Sequence, residues 1–166
     1  MSDFIHQRHK GPTPLQQPRE LIVACMPMRS NINISQMARM ASSCAVKKLV
    51  VCGNASLDKK IARDATSELT LSVHRSLEPV LRTFKKEGYH LVGIEQTSNS
   101  QNIHHFAFQH RTVLVIGNER LGISDEILKL LDAVVEIPVW GLPHSYNAST
   151  AANIAMYEYC RQFPEG

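Results

Sequence analysis

The sequence lacks an apolar run long enough to cross a membrane. Its longest, from Leu21 to Met28, falls far short of the roughly 18 residues that a spanning helix needs. The first residues also lack the basic and then apolar pattern of a secretory signal peptide. The four cysteines are widely spaced and include no Cys-x-x-Cys pair, which argues against a disulfide framework and against a zinc site. These absences predict an intracellular protein, cytoplasmic or nuclear, with no membrane partner and no bound metal.

Aromatic residues are scarce, at 6% of the chain, and charged residues make up 20%. The apolar fraction of 43% is ordinary, which excludes a disordered chain or a fibrous repeat. A length of 166 residues fits one domain. Residues 1–19 are polar and contain glycine and proline breakers, so we expect a tail or linker there and a folded domain over 20–166. A polar tail that leads directly into a core strand also suggests a piece of a longer protein.

The net charge is only +3, but the charge is unevenly distributed. Residues 1–88 hold 14 Lys and Arg against 7 Asp and Glu, whereas residues 89–166 hold 4 against 8. A basic half could attract the phosphate groups of a nucleic acid. A solvated surface with unevenly placed lysines explains the same counts equally well, so charge alone does not decide between the two.

Short apolar runs rich in β-branched residues alternate with segments of helical periodicity. The runs predict strands at 21–25, 49–52, 90–94, 112–116 and 133–139, with a polar loop at 97–102. The periodic segments predict helices at 33–45, 59–66 and 148–163. They also predict a helix that is capped by Ser76 and runs to Lys86, and another that begins at Ser124. This alternation predicts an α/β fold with a mostly parallel sheet and helices on both faces. Ligands of such sheets bind where strands end, which directs attention to the loops after Ile116 and Ile137.

The segment from Gly117 to Ile123 follows the most convincing predicted strand and precedes a helix. Glycines in this position permit a tight turn and let backbone amides approach a ligand. Gly117 and Gly122 have the spacing of a phosphate-binding loop, but Ile123 stands where that loop needs its lysine, which disfavours a nucleoside-triphosphate site. Taken alone, the segment is explained more simply as a loop that needs two flexible positions.

Two further segments carry more polar residues than their local structure requires. Residues 145–150, at the start of the last helix, contain Ser, Asn and Thr side chains beyond the single N-cap that a helix uses. Asn33 and Arg39 lie six residues apart in an early helix of mostly apolar or small residues. Taken alone, Asn33 is a candidate cap and Arg39 a surface ion pair or a snorkelling side chain.

Together and in this order, the segments resemble the SpoU/TrmH branch of the SPOUT RNA methyltransferases. That branch carries Asn followed six residues later by Arg, a strand ending in Gly-x-Glu-x-x-Gly, and Ile-Pro-x-x-Gly followed by Ser-x-Asn-x-Ser. The matching stretches are Asn33 to Arg39, Gly117 to Gly122, Ile137 to Gly141 and Ser145 to Ser149. The resemblance covers roughly residues 20–163 and is strongest to eukaryotic-type members, in which this domain closes a much longer chain.

The resemblance implies a fold and an activity beyond what the residues themselves indicate. It implies an α/β sheet with a deep trefoil knot near the C terminus, an exception to the general rule against knots. It implies that S-adenosylmethionine binds in the knot and that the protein forms a homodimer through the knot region. The implied reaction is methylation of a ribose 2′-hydroxyl in RNA, on a guanosine of the tRNA D loop.

The resemblance also assigns roles to individual residues. Five would contact the cofactor, largely through the main chain: Gly117, Ile137, Gly141, Leu142 and Tyr146. Five others would form the reaction site: Asn33, Arg39, Glu119, Ser145 and Asn147. Family members usually have a small aliphatic residue such as leucine at the position of Tyr146. Because contacts there are mainly from the main chain, we expect cofactor binding to persist.

The resemblance implies that Arg39 assists proton loss from the attacking hydroxyl. A guanidinium is a poor base because it stays protonated at all ordinary pH values. We therefore prefer the interpretation that Arg39 holds a phosphate and stabilises negative charge on oxygen. The basic half would then carry Arg39, Lys47 and Lys48 on the side where RNA approaches. The alternative function is a catalytically inactive knotted module that binds RNA or a partner. The presence of all five reaction-site residues argues against this alternative.

Overall fold

Seven strands form one sheet in the part of the chain that the computed structural model describes, residues 4–46 and 48–166. They are β1 (Leu21–Cys25), β2 (Lys48–Cys52), β3 (Thr70–His74), β4 (His90–Ile94), β5 (Gln101–Asn102), β6 (Thr112–Ile116) and β7 (Ala133–Glu136). Their spatial order is β3-β2-β1-β6-β4-β7-β5, and all neighbours are parallel. The predicted α/β class with a parallel sheet is therefore confirmed.

The strands β1 and β6 lie in the middle of the sheet, in register from Leu21 opposite Thr112 to Cys25 opposite Ile116. Both are buried over their whole length, which explains why their sequences are continuous apolar runs. The strand order also places β7 between β4 and β5, two consecutive strands that precede it in the chain. Such an insertion is compatible with the predicted trefoil knot, which stays a prediction.

Helices cover both faces of the sheet, as predicted. They are α1 (Asn31–Ser43), α2 (Lys59–Ala62), α3 (Ala65–Glu68), α4 (Glu78–Lys86), α5 (Asp125–Leu128) and α6 (Ala148–Gln162). One core contains the inward residues of α1 and α6, and α2 and α3 pack on α1. The other core, on the opposite face, contains those of α4 and α5. Successive strand residues alternate between the two cores, as Leu114 and Val115 do in β6.

Two helix predictions are wrong in detail. The helix predicted over 59–66 is split into α2 and α3 because Arg63 has a φ of +51°, a left-handed backbone that interrupts the helix. Ser76 does not cap α4, which begins at Glu78 with Leu77 in the N-cap position. An N-cap side chain accepts a hydrogen bond from the second or third helical residue. With Ser76 as the cap, the third would be Pro79, which has no N–H.

The sequence patterns miss two strands and overextend a third. The residues of β3 are exposed or half-buried rather than an apolar run, and β5 lies in the segment predicted as a polar loop. Both are edge strands, which pair on one side only and are buried less completely. The strand predicted to run to Val139 ends at Glu136. Pro138 follows two residues later and cannot donate a ladder hydrogen bond.

The residues just before β1 contact the C-terminal end of the chain. The Gln16 N–H donates to the Glu165 carbonyl at 2.8 Å, and the Arg19 side chain donates to the Phe163 carbonyl. These contacts hold the end of the predicted tail, 1–19, on the domain, and the boundary at residue 20 stays a prediction. The first three residues lie outside the described part of the chain. No helix within that part is long and apolar enough to cross a membrane.

We expect Leu114→Ala to lower the free energy of unfolding by about 2–5 kcal/mol, because Leu114 is 0% exposed in the central strand and its loss leaves a cavity. The same substitution at Leu121, which is 86% exposed, should change it by less than about 0.5 kcal/mol. Urea unfolding of both variants measures the difference. Equal effects at the two positions would contradict this arrangement of the core.

Candidate active site

A cavity of about 230 Å³ lies at the carboxyl ends of β4 and β6, the region in which ligand binding is predicted. Its walls come from the loops after β4, β6 and β7 and from the first turn of α6. The lining residues are Ile94, Glu95, Gln96, Gly117, Asn118, Glu119, Arg120, Gly122, Ile137, Ser145, Tyr146, Ala148 and Ala151. The structure therefore brings together half of the predicted site residues, namely Gly117, Glu119, Ile137, Ser145 and Tyr146.

Close backbone packing shapes the loop after β6. Asn118 and Gly122 exchange main-chain hydrogen bonds of 2.9 and 3.0 Å. The side-chain oxygen of Asn118 also accepts hydrogen bonds from the N–H groups of Arg120 and Leu121. A Cβ atom on Gly117 would lie 2.7 Å from the carbonyl carbon of Gly122, so a side chain there would force the loop open. The spacing of the two glycines in the sequence reflects this closure.

Glu119 fastens the same loop to the turn between β1 and α1. Its carboxylate accepts hydrogen bonds from the main-chain N–H groups of Arg29 and Ser30, each at 3.0 Å, and from Asn33 Nδ2 at 3.1 Å. Burial acts to raise the pKa of the carboxyl, but these hydrogen bonds outweigh burial and hold the pKa of Glu119 below its ordinary value. Two predicted reaction-site residues, Asn33 and Glu119, are thus in direct contact.

Asn33 lies in the first turn of α1, which begins two residues before the predicted start. The N-cap is Ser30, whose Oγ accepts from the Asn33 N–H at 3.3 Å, so the interpretation of Asn33 as a cap is wrong. The buried side chain of Asn33 is available to Glu119 instead. Asn33 is therefore part of the site because its side chain contacts Glu119, and not because it caps the helix.

Glu95 and Gln96 line the cavity but stand outside the three sequence motifs. The Glu95 carboxylate accepts hydrogen bonds from the N–H groups of Ile123 and Gln96, both at 3.1 Å. Gly122, with a φ of +65°, permits this approach, because a Cβ there would lie 2.5 Å from Glu95 Oε2. One sequence signal could have found Glu95. It is the first polar residue after a predicted strand, at the edge where parallel sheets bind ligands.

Asn147 caps α6 and does not line the cavity. Its Oδ1 accepts from the N–H groups of Ser149 at 2.9 Å and Thr150 at 3.4 Å. The hydroxyl of Ser149, which is buried, lies 2.6 Å from Gln36 Oε1 on α1 and 2.7 Å from Asn147 Oδ1. The polar run at the start of α6 therefore serves two purposes, since it caps this helix and joins it to α1.

The loop between β7 and α6 separates the predicted cofactor residues. Ile137 and Tyr146 line the cavity, and the Tyr146 hydroxyl donates to the Pro138 carbonyl at 3.2 Å. Gly141 and Leu142 are exposed and lie outside the cavity. Tyr146, the departure from the family pattern, thus forms part of the cavity rim and is held by the main chain of its own loop.

Arg39 is exposed on α1, lies outside the cavity and makes no ion pair with any described residue. Lys48, predicted on the same side, lies at the start of β2 with Nζ 5.6 Å from the centroid of the Phe84 ring. Because Phe84 belongs to α4 on the opposite face, that part of the prediction is wrong. Lys47 lies outside the described residues. Among those described, no group of three or more His, Cys, Asp or Glu side chains could hold a metal ion.

Residues 20–157 match the SpoU rRNA methylase family. This chain belongs to that family. The matched region includes the loop after β6, the turn held by Glu119 and the start of α6, so every wall of the cavity in this SpoU family member lies within it.

Two relatives of this SpoU family member are tRNA (guanosine(18)-2'-O)-methyltransferases. That of Aquifex aeolicus is 30% identical over 154 residues, which cover 90% of this chain and 73% of the relative. The mouse relative, TARBP1, is 38% identical over 82 residues, which cover 49% of this chain and 5% of the mouse protein. This chain therefore matches only a small part of the length of the mouse relative.

Solved structures of SpoU proteins share the fold. The A. aeolicus TrmH/SpoU tRNA modifying enzyme has a TM-score of 0.84 and 27% identity, over 91% of this chain and 79% of that chain. The SpoU methyltransferase AviRb from Streptomyces viridochromogenes, in complex with the cofactor AdoMet, has a TM-score of 0.77 and 29% identity. That match covers 90% of this chain and 63% of AviRb.

We expect Glu119→Gln to lower the free energy of unfolding by about 1–3 kcal/mol at pH 7, because a neutral amide accepts the hydrogen bonds of the turn less strongly than a carboxylate does. The folded-state pKa of Glu119 lies below the ordinary value of 4.5. The stabilisation by the carboxylate is therefore complete above pH 4.5 and is lost as the pH falls through the lower folded-state value. Urea unfolding across this pH range measures the difference between the two proteins.

The matched control is Glu68→Gln, which removes an exposed carboxylate that accepts no side-chain hydrogen bond among the described residues. It should change the free energy of unfolding by less than about 0.5 kcal/mol at any pH. A difference between wild type and Glu119→Gln that stays constant down to the most acidic pH would show that the charge of Glu119 does not hold the turn.

Proposed function

We propose that this chain is an S-adenosylmethionine-dependent methyltransferase that modifies a ribose 2′-hydroxyl of tRNA, on a guanosine of the D loop. The observation that carries the proposal is the convergence of Gly117 and Glu119 from one motif and Ser145 from another on one cavity at the carboxyl edge of the sheet. Relatives that are tRNA (guanosine(18)-2'-O)-methyltransferases support the choice of substrate.

The cavity suits a ligand that has both apolar and polar parts, such as S-adenosylmethionine. Ile94, Ile137 and Ala151 supply apolar walls, and Glu95 supplies a carboxylate that can accept hydrogen bonds from ribose hydroxyls. At Gly117 the loop packs so closely that it presents main chain instead of a side chain. The structural relative AviRb binds AdoMet, which supports the same cofactor here. When bound, the cofactor supplies a methyl group on a positively charged sulfur.

The residues of the chain then bind and align the ribose. Ser145 lies on the cavity lining, where its hydroxyl can hydrogen-bond the attacking oxygen. Tyr146 and Ile137 shield that position from water. Glu119 keeps the β1–α1 turn in place instead of acting as a base, since its oxygens already accept three hydrogen bonds and its pKa is held low. Arg39 holds a phosphate and stabilises negative charge that develops on oxygen.

Two measurements test the proposal. Calorimetric titration with S-adenosylmethionine, and separately with ATP, tests the cofactor. Transfer of a labelled methyl group to an unmodified tRNA transcript tests the reaction. Saturable binding of S-adenosylmethionine alone, followed by transfer to the 2′-oxygen, supports the methyltransferase. Cofactor binding without transfer to any RNA would support the inactive knotted module, and binding of ATP alone would replace both with a nucleotide-binding protein.

We expect Arg39→Ala to lower the rate of methyl transfer by roughly 100-fold or more, the usual cost of losing one electrostatic group from a reaction site. The affinity for S-adenosylmethionine should stay within about threefold, because Arg39 lies outside the cavity. Single-turnover transfer and calorimetry measure the two quantities. Arg39→Lys keeps the charge but loses the planar fork, so it should restore transfer only in part. Equal losses of binding and transfer would make Arg39 a cofactor-binding residue.

We further propose that two copies associate through the C-terminal region, and we place the predicted knot between β6 and α6. Two large side chains, Trp140 and Tyr157, are exposed there. Tyr157 lines a groove of about 420 Å³ along α6, and the Trp140 ring stacks 6.4 Å from that of His104, another residue of the groove. The Oδ1 atom of Asn153 is buried beside this groove and has no hydrogen-bond partner among the described residues. An exposed apolar surface with an unsatisfied polar atom is typical of an interface.

Tyr157→Glu should weaken the dimer at least tenfold, because it would place an unpaired charge in the interface. Val73→Glu is the matched control. Val73 is 51% exposed and Tyr157 is 67% exposed, but Val73 lies on the edge strand β3, whereas α6 contacts β4 and β6. Sedimentation equilibrium measures the mass against the 18.6 kDa of one chain. A wild type that sediments as a monomer at micromolar concentration, or equal weakening by both substitutions, would contradict the proposed interface.

A further inference from the structure

The segments that follow four neighbouring strands, three loops and the start of α2, each contribute exposed cations at the carboxyl edge of the sheet. In the spatial order β3, β2, β1, β6 these residues are Arg75, then Lys59 and Lys60, then Arg29, then Arg120. We call these five residues the basic row. Since neighbouring strands lie about 4.8 Å apart, the row extends over roughly 14 Å. It ends at the cavity, because Arg120 is one of the lining residues.

No acidic side chain in the described part of the chain forms an ion pair with the basic row. The five side chains make no ion pair among the described residues, whose four ion pairs use other cations, namely Arg82, Lys85, Arg111 and Arg161. The acids nearest the row in sequence are held by main-chain groups instead. Asp58 accepts a hydrogen bond from the Lys60 N–H at 2.8 Å, and Glu119 accepts from the turn that contains Arg29.

The middle of the row is fixed to α1 close to the candidate active site. The Ser56 N–H donates to Asn31 Oδ1 at 3.2 Å, and the Asp58 N–H donates to Ser35 Oγ at 2.8 Å. Asn31 and Ser35 lie in the first turns of α1, next to Asn33, which contacts Glu119. The loop that leads into α2, where Lys59 and Lys60 lie, is thus joined through α1 to the wall of the cavity.

The other half of the same edge is different. The loop residues 95–100 after β4 and 137–147 after β7 contain no lysine or arginine. Instead, Glu95 follows β4 and Glu136 ends β7. A polyanion that approaches the cavity would therefore be attracted along β1, β2 and β3 and not along β7 and β5.

We infer that the basic row binds the phosphate backbone of the RNA substrate and directs it from the outer edge of the sheet at β3 to the cavity. The inference rests on the proposed function, and it adds the side from which the RNA enters. Lysine and arginine side chains that contact phosphates supply affinity without base specificity, and their contribution depends on salt. The row therefore positions the RNA, and the choice of nucleotide is made elsewhere.

The test compares Lys59→Ala/Lys60→Ala with Lys86→Ala/Lys129→Ala. The second pair removes two exposed lysines from the opposite face, where α4 and α5 lie, so both variants lose the same net charge. Fluorescence anisotropy with an unmodified tRNA transcript at 50 to 200 mM salt measures affinity. We expect the row variant to bind roughly tenfold or more weakly at 100 mM salt, with a salt slope smaller by about 1–2. The control should bind within about twofold of wild type.

Thermal unfolding and calorimetry with S-adenosylmethionine are measured on the same proteins, and we expect neither to change, because the row lysines lie outside the core and the cavity. Equal weakening by both variants, no weakening by either, or no tRNA binding by wild type at 50 mM salt would overturn the inference. If the wild-type protein binds tRNA through the row but does not bind S-adenosylmethionine, the inference about the row holds and the proposed methyltransferase function is refuted.

Discussion

The loop after β6 is held from both sides by carboxylates, and the candidate active site depends on this arrangement. Glu119 reaches from the loop to the turn after β1, and Glu95 reaches from the end of β4 to Ile123. Because β1 and β4 are the two neighbours of β6, the loop is fixed across three adjacent strands. Main-chain groups at Gly117 and Gly122 are therefore in place before any ligand arrives, which avoids the cost of ordering them on binding.

Carboxylates are suited to holding this loop because they accept hydrogen bonds from main-chain N–H groups at strand ends. Without them, these N–H groups would need water as their hydrogen-bond acceptor. The arrangement has an electrostatic consequence. A substrate with a phosphate backbone would be repelled by free acids near the cavity, but Glu119 is surrounded by donors and its charge is partly balanced by them. The positive field of the basic row then dominates the approach from β3, while the β7 side of the edge carries no lysine or arginine in its loop.

Much of the fold follows from local patterns, since β1 and β6 are apolar on both faces and α6 begins at Ala148 as its polar cap predicts. Local patterns do not contain the strand order, and the errors that concern the site and the edge strands follow from this. Glu95 becomes a site residue only because β4 lies beside β6. Lys48 lies one residue before the predicted strand but begins β2, and its contact with Phe84 of α4 shows which face it packs on. Edge strands such as β3 are not predicted from apolar patterns, because they are defined by their pairing with a neighbouring strand and not by burial.

Arg39 shows why a single copy gives an incomplete account of the proposed reaction. It lies six residues beyond Asn33, which places it about 9 Å farther along α1 and away from the carboxyl edge. The hydrogen bonds that Glu119 accepts come only from the turn before α1 and from Asn33 in its first turn, and no described residue forms an ion pair with Arg39. However, α1 packs on α6, and α6 borders the groove proposed as the interface. The proposed reaction and the proposed interface are therefore connected, because Arg39 lies on a helix that packs against the helix bordering that interface.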